Sequence, residues 1–152
     1  MRLRRGKTTQ QIERILVATD RSESAERAVA FASDMAERYA AELLLLRVLL
    51  SDDGVLAEAA RELAEHAREL AGERGRSSVV VAEDPAEAII EAVRREQADV
   101  VVVGSVGMSG RKEFLLGNVP NRVSHGTNRT VVIVNTRQRI EEQAQKKRRF
   151  FR

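Results

Sequence analysis

Glycines are concentrated directly after a run of four valines, where a chain could bind an anion. They follow the run in close succession, at Gly104, Gly107, Gly110 and Gly117. Glycine adopts positive φ without strain and lets the backbone approach a ligand closely, so that its N–H groups can face anionic oxygens. Gly117 and Asn118 open a predicted helix, and the amino end of a helix attracts negative groups. The pattern predicts a phosphate-binding loop; the alternative is a tight connection that uses glycine only for its turns.

Asp20 is the carboxylate best placed for a second role at such a site. It follows the apolar run at residues 15–18, in the polar turn at residues 19–22. One interpretation is that Asp20 is the N-cap of the next helix, with Glu23 three residues later. The other is that Asp20 anchors a Mg²⁺ or Mn²⁺ ion that arrives with phosphates. The two roles are compatible.

Other residue types that carry chemistry are few. The chain has two histidines and no cysteine, so a dedicated zinc site is not expected. His66 is predicted on the solvated face of the second helix and His125 at a helix end. Lys112 lies out of register for a Walker A lysine, and no G-x-S-x-G nucleophile motif is present. We do not expect the protein to be an enzyme. Slow ATP hydrolysis or autophosphorylation is the most that these residues suggest.

Strand and helix signals alternate along the chain and must position these residues. Short apolar runs predict five strands, at residues 15–18, 43–48, 78–82, 100–103 and 130–134. Apolar residues at helical spacing predict the helices between them, at residues 25–39, 56–71, 85–93 and 115–124. Asp84 and Pro85 form a strong helix start, and Gly126 is predicted as a left-handed helix stop. The order predicts an α/β fold with a parallel sheet, helices on both faces and a ligand beyond the carboxyl ends of the strands.

Charge divides the chain into three parts. Of the formal net charge of +3, residues 1–10 contribute +4 and residues 137–152 contribute +5, which leaves −6 for residues 11–136. We therefore predict a basic extension (1–11), one α/β domain (12–136) and a basic tail of marginal helix propensity (137–152). No apolar run approaches the about 20 residues that span a bilayer, and the basic start lacks the apolar stretch of a secretory signal. A cytoplasmic protein is expected.

The combined motifs resemble the universal stress protein family. The glycine spacing Gly104-x2-Gly107-x9-Gly117, followed by a small polar residue, is similar to the family's ATP-binding signature. The runs ILVATD at 15–20, DPAEAII at 84–90 and ADVVVVGS at 98–105 add to the resemblance. It extends over residues 12–135.

The resemblance implies a Rossmann-like open sheet of strand order 3-2-1-4-5 and a regulatory stress-response protein that binds ATP, or ADP or AMP, with Mg²⁺ or Mn²⁺. It implies that Ala18 and Asp20 lie beside the nucleoside, with Asp20 near the metal, and that the backbone of Val48 meets adenine. It assigns the ribose and phosphates to Val103, Gly104, Gly107, Gly117, Asn118 and Val119. Asn118 replaces the family's Ser or Thr, and Pro120 offers no N–H, so we expect weakened phosphate affinity.

The outer strand of the sheet and the basic ends of the chain are the regions from which partners are predicted. The resemblance implies a homodimer. Residues 130–134 form the predicted outer strand, and a bare apolar edge predicts pairing with a second copy there, unless residues 137–152 cover that edge. A regulated protein partner is expected but not identified. Two further functions stay open: a nucleotide-free dimeric scaffold, and a protein that binds nucleic acid or anionic lipid through its basic ends. For the tail itself, a solvated segment is favoured.

Overall fold

The computed structural model describes residues 11–105, 119–135 and 148–149. Strands and helices alternate in these residues, as the hydrophobic pattern predicts. The strands are β1 (Arg14–Ala18), β2 (Glu42–Leu49), β3 (Gly75–Val81), β4 (Val100–Gly104) and β5 (Thr130–Val134). The helices are α1 (Glu23–Tyr39), α2 (Leu56–Ala71), α3 (Pro85–Glu96) and α4 (Val119–Gly126), with a 3₁₀ turn at Gly72–Arg74.

All strand pairs are parallel, and the sheet has the order β3-β2-β1-β4-β5. The predicted fold class and strand order are confirmed. β1 is central: Val17 pairs with Leu45 of β2 on one side and with Val102 of β4 on the other. At the start of the same strand, Asp99 Oδ2 accepts hydrogen bonds from the backbone N–H groups of Glu13 (2.8 Å) and Arg14 (2.9 Å).

Two apolar layers cover the sheet, one on each face. Ile15 and Val17 belong to the layer beneath α1 and α2, whereas Leu16 belongs to the layer beneath α3 and α4. Consecutive residues of β1 point to opposite faces and all three are fully buried. Strands buried on both faces need continuous apolar runs, which is why β1 and β4 are the strands most easily predicted from the sequence.

Most elements begin or end one to three residues from their predicted limits, and the differences at β3 and at Gly126 have a physical explanation. β3 begins at Gly75, three residues before the predicted start, and ends at Val81. Its first residues are polar, but they pair with the buried start of β2, beginning with Gly75 opposite Leu43. Gly126 was predicted to end a helix in the left-handed conformation, and this is wrong, because it is the last residue of α4 and is not among the residues with positive φ. A Cβ atom at Gly126 would meet the side chain of Ile90, whose terminal methyl group would have to move, so this glycine lies close against α3.

Candidate functional site

The carboxyl ends of β1 and β4 meet at the point where the strand order reverses. After β1 the chain continues into α1 on one face of the sheet, while α4, which follows β4 in the chain, lies on the opposite face. Helices that leave neighbouring strands toward opposite faces open a crevice between them, and open α/β sheets bind ligands there. Val17 pairs with Val102, so that Ala18 and Val103 continue side by side toward this crevice.

The turn after β1 is held by its own side chains. Thr19 is buried, and its N–H donates to the carbonyl of Leu46 at 2.9 Å. Its Oγ1 accepts from the N–H of Arg21 at 3.0 Å, and Asp20 Oδ1 accepts from the N–H of Ser22 at 2.9 Å. Arg21 has φ of 66°, a conformation that residues with side chains adopt rarely. These hydrogen bonds fix the path of the backbone at the edge of the crevice.

Asp20 does not cap α1, so the prediction of that role is wrong. The N-cap is Ser22, whose hydroxyl accepts from the N–H of Ala25 at 3.2 Å. Asp20 lies two residues earlier and shapes the turn that leads to the cap. Its half-buried carboxylate therefore stands before the helix, at the same edge as Ala18. The contribution of Thr19 was missed, although a hydroxyl two residues before Arg21 is a known signal for such a turn.

His66 is packed between α1 and α2, not solvated as predicted. Its side chain is 18% exposed, and Nε2 is buried without a hydrogen-bond partner among the described residues. Glu26 Oε2 lies 3.7 Å from this nitrogen, and Glu26 Oε1 lies 3.4 Å from Nη1 of Arg21. The prediction failed because the pattern of α2 alone does not reveal that α1 covers its flank.

The nucleoside side of the predicted site is lined by the ends of β1 and β2. Val48 is 5% exposed and pairs with Val80, one residue before the end of each strand. Ala18 pairs with Leu46, so Val48 lies two residues further along the neighbouring strand. The structure thus brings Ala18, Asp20 and Val48 to one edge of the sheet.

Of the predicted phosphate residues, the structure describes three. Val103 is buried and Gly104 is the half-buried last residue of β4. Val119, also half-buried, is the first described residue of α4. Ser105 continues the sheet edge, with its N–H donating to the carbonyl of Val134 at 2.8 Å. Gly107, Gly117 and Asn118 lie outside the described residues.

A bidentate ion pair joins α4 to the start of α3. Arg122 Nη1 and Nη2 donate to Asp84 Oδ1 and Oδ2 at 2.8 and 2.7 Å. Asp84 is also the N-cap of α3, as predicted, and its Oδ1 accepts from the N–H groups of Ala86 and Glu87. Hydrogen bonds from Arg122 hold the pKa of Asp84 below its ordinary value, and Asp84 raises the pKa of Arg122. This pair could not be predicted from local sequence patterns, because its partners are 38 residues apart.

Protein side chains alone do not form a metal site in the part of the chain that the structure describes. No three His, Cys, Asp or Glu side chains among those residues are grouped so that they could hold a metal ion. None of the described helices is long and apolar enough to cross a membrane.

Comparison with known proteins decides the family. Residues 11–135 match the model of the universal stress protein family. The chain belongs to this family. Family members with similar sequences include universal stress protein YxiE of Bacillus subtilis, 29% identical over 144 residues that cover 80% of this chain and 97% of YxiE. Universal stress protein Rv1636 of Mycobacterium tuberculosis is 31% identical over 140 residues, covering 80% of this chain and 95% of Rv1636.

Some family members are longer. Universal stress protein Rv2623 of Mycobacterium tuberculosis is 35% identical over 133 residues, which are 79% of this chain and 44% of Rv2623. The chain thus spans less than half of that relative and nearly all of YxiE.

Solved structures of family members have the same fold. A universal stress protein crystallised in complex with cAMP has a TM-score of 0.68 and 30% identity, over 84% of this chain and 99% of that one. The hypothetical protein MJ0577 has a TM-score of 0.68 and 28% identity, over 83% and 97% of the two chains. A universal stress protein of Archaeoglobus fulgidus in complex with dAMP, with a TM-score of 0.60 and 22% identity over 82% of this chain and 99% of that one, supports the fold alone.

Proposed function

We propose that this universal stress protein binds an adenine nucleotide, ATP or else ADP or AMP, in the crevice between the ends of β1 and β4, and regulates a partner protein in the cytoplasm during stress. The proposal is based on the position of Ala18, Asp20 and Gly104, which all lie at the carboxyl ends of β1 and β4, where the strand order reverses. A family member of 30% identity binds cAMP, which contains the same base and ribose.

The residues divide the proposed site into two parts. Ala18, Asp20 and the backbone of Val48 take the nucleoside, on the side of β1 and β2. Gly104 and Val119, together with Gly107, Gly117 and Asn118, take the ribose and phosphates. The proposed phosphate donors are backbone N–H groups of the glycine loop, which is the segment after β4 that contains Gly104, Gly107, Gly110 and Gly117. Glycine lets these N–H groups come close to an anion.

Asp20 has the chemistry that a Mg²⁺ or Mn²⁺ ion bound to phosphate requires. Its carboxylate is a hard oxygen ligand at the mouth of the crevice. When bound, the metal would neutralise phosphate charge, and Asp20 would hold it through one carboxylate oxygen. The proposal assigns no catalytic residue and no turnover to the chain.

We also propose that the protein is a homodimer through β5. In the part of the chain that the structure describes, this strand is an edge of the sheet, and its Ile133 is 47% exposed. An edge strand with an exposed apolar residue invites pairing with a second copy.

The experiment that tests nucleotide binding is calorimetric titration with ATP, alongside mass spectrometry of small molecules released from the purified protein. We expect Gly107→Val to abolish binding, because a side chain there restricts φ and fills ligand space, while circular dichroism shows an intact fold. Gly72→Val is the matched control, since it makes the same substitution at an exposed glycine of positive φ between α2 and β3, at the opposite edge of the sheet.

Absence of bound nucleotide would contradict the proposed function. If the unmodified protein releases no nucleotide and gives no heat at millimolar ATP, the dimeric scaffold becomes the better function. Pro120 favours that alternative, because it is a buried residue in the first turn of α4 and offers no N–H to phosphate.

A further inference from the structure

The ion pair between Asp84 and Arg122 connects the amino ends of two helices at the carboxyl edge of the sheet. Asp84 precedes α3, which follows β3, and Arg122 lies in the first turn of α4. Both guanidinium–carboxylate distances, 2.8 and 2.7 Å, are those of charge-assisted hydrogen bonds, and the bidentate arrangement fixes the angle between the partners. The carboxylate is itself held by the backbone N–H groups of Ala86 and Glu87.

α4 is short and contacts the rest of the fold through apolar side chains and through the ion pair of Arg122. It has eight residues, and Val119, Pro120 and Val123 pack it on the apolar layer to which Ile90 of α3 also belongs. Apolar burial is not directional, so these contacts define the orientation of the helix less sharply than a bidentate ion pair does. Among the described residues, Asp84 is the ion-pair partner of Arg122, so this pair supplies the directional contact of the first turn.

The amino ends of α3 and α4 differ in their electrostatic surroundings. The carboxylate of Asp84 already compensates the partial positive charge at the amino end of α3. The guanidinium of Arg122 is neutralised by the same carboxylate, so the pair adds no net charge beside α4. The first turn of α4 contains no acidic residue, so of these two helix ends the amino end of α4 is the one that favours an anion.

We propose that Asp84 and Arg122 are positioning residues for nucleotide binding: their ion pair holds the first turn of α4 in the orientation that the phosphates require. This inference rests on the proposed function, since it assigns phosphate to the start of α4. Neither residue touches the nucleotide; Arg122 acts through α4, and Asp84 acts through Arg122.

The test is a double-mutant cycle of ATP affinity. Asp84→Ser removes the carboxylate but keeps a good N-cap for α3, and Arg122→Met removes the guanidinium but keeps an unbranched side chain. We expect each single variant and the double variant to raise the Kd for ATP equally, by about two- to tenfold, the range for residues that act on a site without touching its ligand. Arg122→Lys, which retains one hydrogen bond, should recover part of the affinity.

Two controls separate positioning from general destabilisation. Arg129→Met removes another exposed arginine that has no ion pair among the described residues, and it should leave the Kd unchanged. Hydrogen exchange of the amides at 121–124 should accelerate in Arg122→Met, while the amides of β1 keep their protection. Affinities are measured well below each variant's melting temperature, so that every species is folded.

The outcomes are distinct. If the unmodified chain binds ATP and the variants bind it equally well, the positioning role is overturned and the proposed function stands. Additive losses in the double variant also overturn it, because they show two independent residues. If the unmodified chain binds no nucleotide, the proposed function fails, and the positioning role fails with it.

Discussion

Asp20 stands in a turn whose shape depends on one of its own carboxylate oxygens. Asp20→Asn keeps an oxygen that can accept from the N–H of Ser22 and removes the charge. We expect the Kd for ATP to rise about tenfold when Mg²⁺ or Mn²⁺ is present and to stay constant without metal, because the charge acts through the ion. Calorimetry in both conditions measures this difference.

The control for that substitution is Asp52→Asn. Asp52 Oδ1 accepts from the N–H of Gly54 two residues later, so this exposed loop contains the same kind of turn, and Asp52 is not among the proposed metal or nucleotide ligands. An equal loss of affinity with and without metal would contradict a metal-linked role for Asp20.

Gly75 is confined by the helix that precedes β3. A Cβ atom at this position would collide with the backbone carbonyl of Ala67, which cannot move without shifting α2. We expect Gly75→Ala to lower the free energy of unfolding by about 1–3 kcal/mol, the usual cost of overpacking. Urea denaturation measures the change, and Ser77→Ala, two residues along the same strand, is the control that should cost less.

Prediction of single residues from the sequence succeeded where local rules decide. Asp84 is recognisable as an N-cap because Pro85 follows it, and the structure confirms the cap. The cap role of Asp20 and the solvated position of His66 were wrong, because Ser22 is the residue that caps α1 and because α1 buries the flank of α2. Such contacts depend on tertiary packing, which hydrophobic spacing does not encode.

At the scale of elements, the strands and helices were predictable and their exact limits were not. The runs of buried valine and leucine in β1, β2 and β4 identify strands covered on both faces. The start of β3 escaped prediction because its Gly, Arg and Ser residues are strand residues only through pairing with β2. The pairing of α3 with α4 through Arg122 is likewise a property of the assembled elements.

The contact between α3 and α4 makes stability depend on pH. Arg122 holds the pKa of Asp84 below its ordinary value of about 3.9, so the folded state binds this proton less readily than the unfolded chain. The stabilisation is complete above the unfolded pKa and is lost as pH falls through the lower folded pKa. We expect Asp84→Asn, which still caps α3, to weaken the decline in unfolding free energy below about pH 5.

The measurement is urea denaturation at a series of pH values. Asp34→Asn, on the exposed face of α1, controls for the loss of one carboxylate. A decline in Asp84→Asn as steep as that of the unmodified protein would show that the ion pair does not contribute.

At the scale of the whole molecule, the two edges of the sheet offer a matched experiment on the proposed dimer. Ile133 on β5 is 47% exposed, and Val81 on β3, the opposite edge, is 46% exposed. We expect the protein to sediment with the mass of two 17.0 kDa chains at micromolar concentration. Ile133→Lys should give single chains, because it places a charge in the proposed interface, while Val81→Lys should leave the dimer intact.

Sedimentation of the unmodified protein as a single chain would contradict the dimer. If Val81→Lys dissociates the dimer and Ile133→Lys does not, the interface lies at β3, and the proposed interface at β5 is wrong.

The central position of β1 has a consequence for synthesis on the ribosome. Of the described strands β1 is translated first, yet Asp99, which holds the N–H groups of Glu13 and Arg14, follows them by 86 and 85 residues. Until β4 emerges, one side of β1 has no partner, and contacts this distant in sequence form slowly. The nascent chain therefore exposes an apolar strand edge through most of its translation, and this interval is when a chaperone would protect it from aggregation.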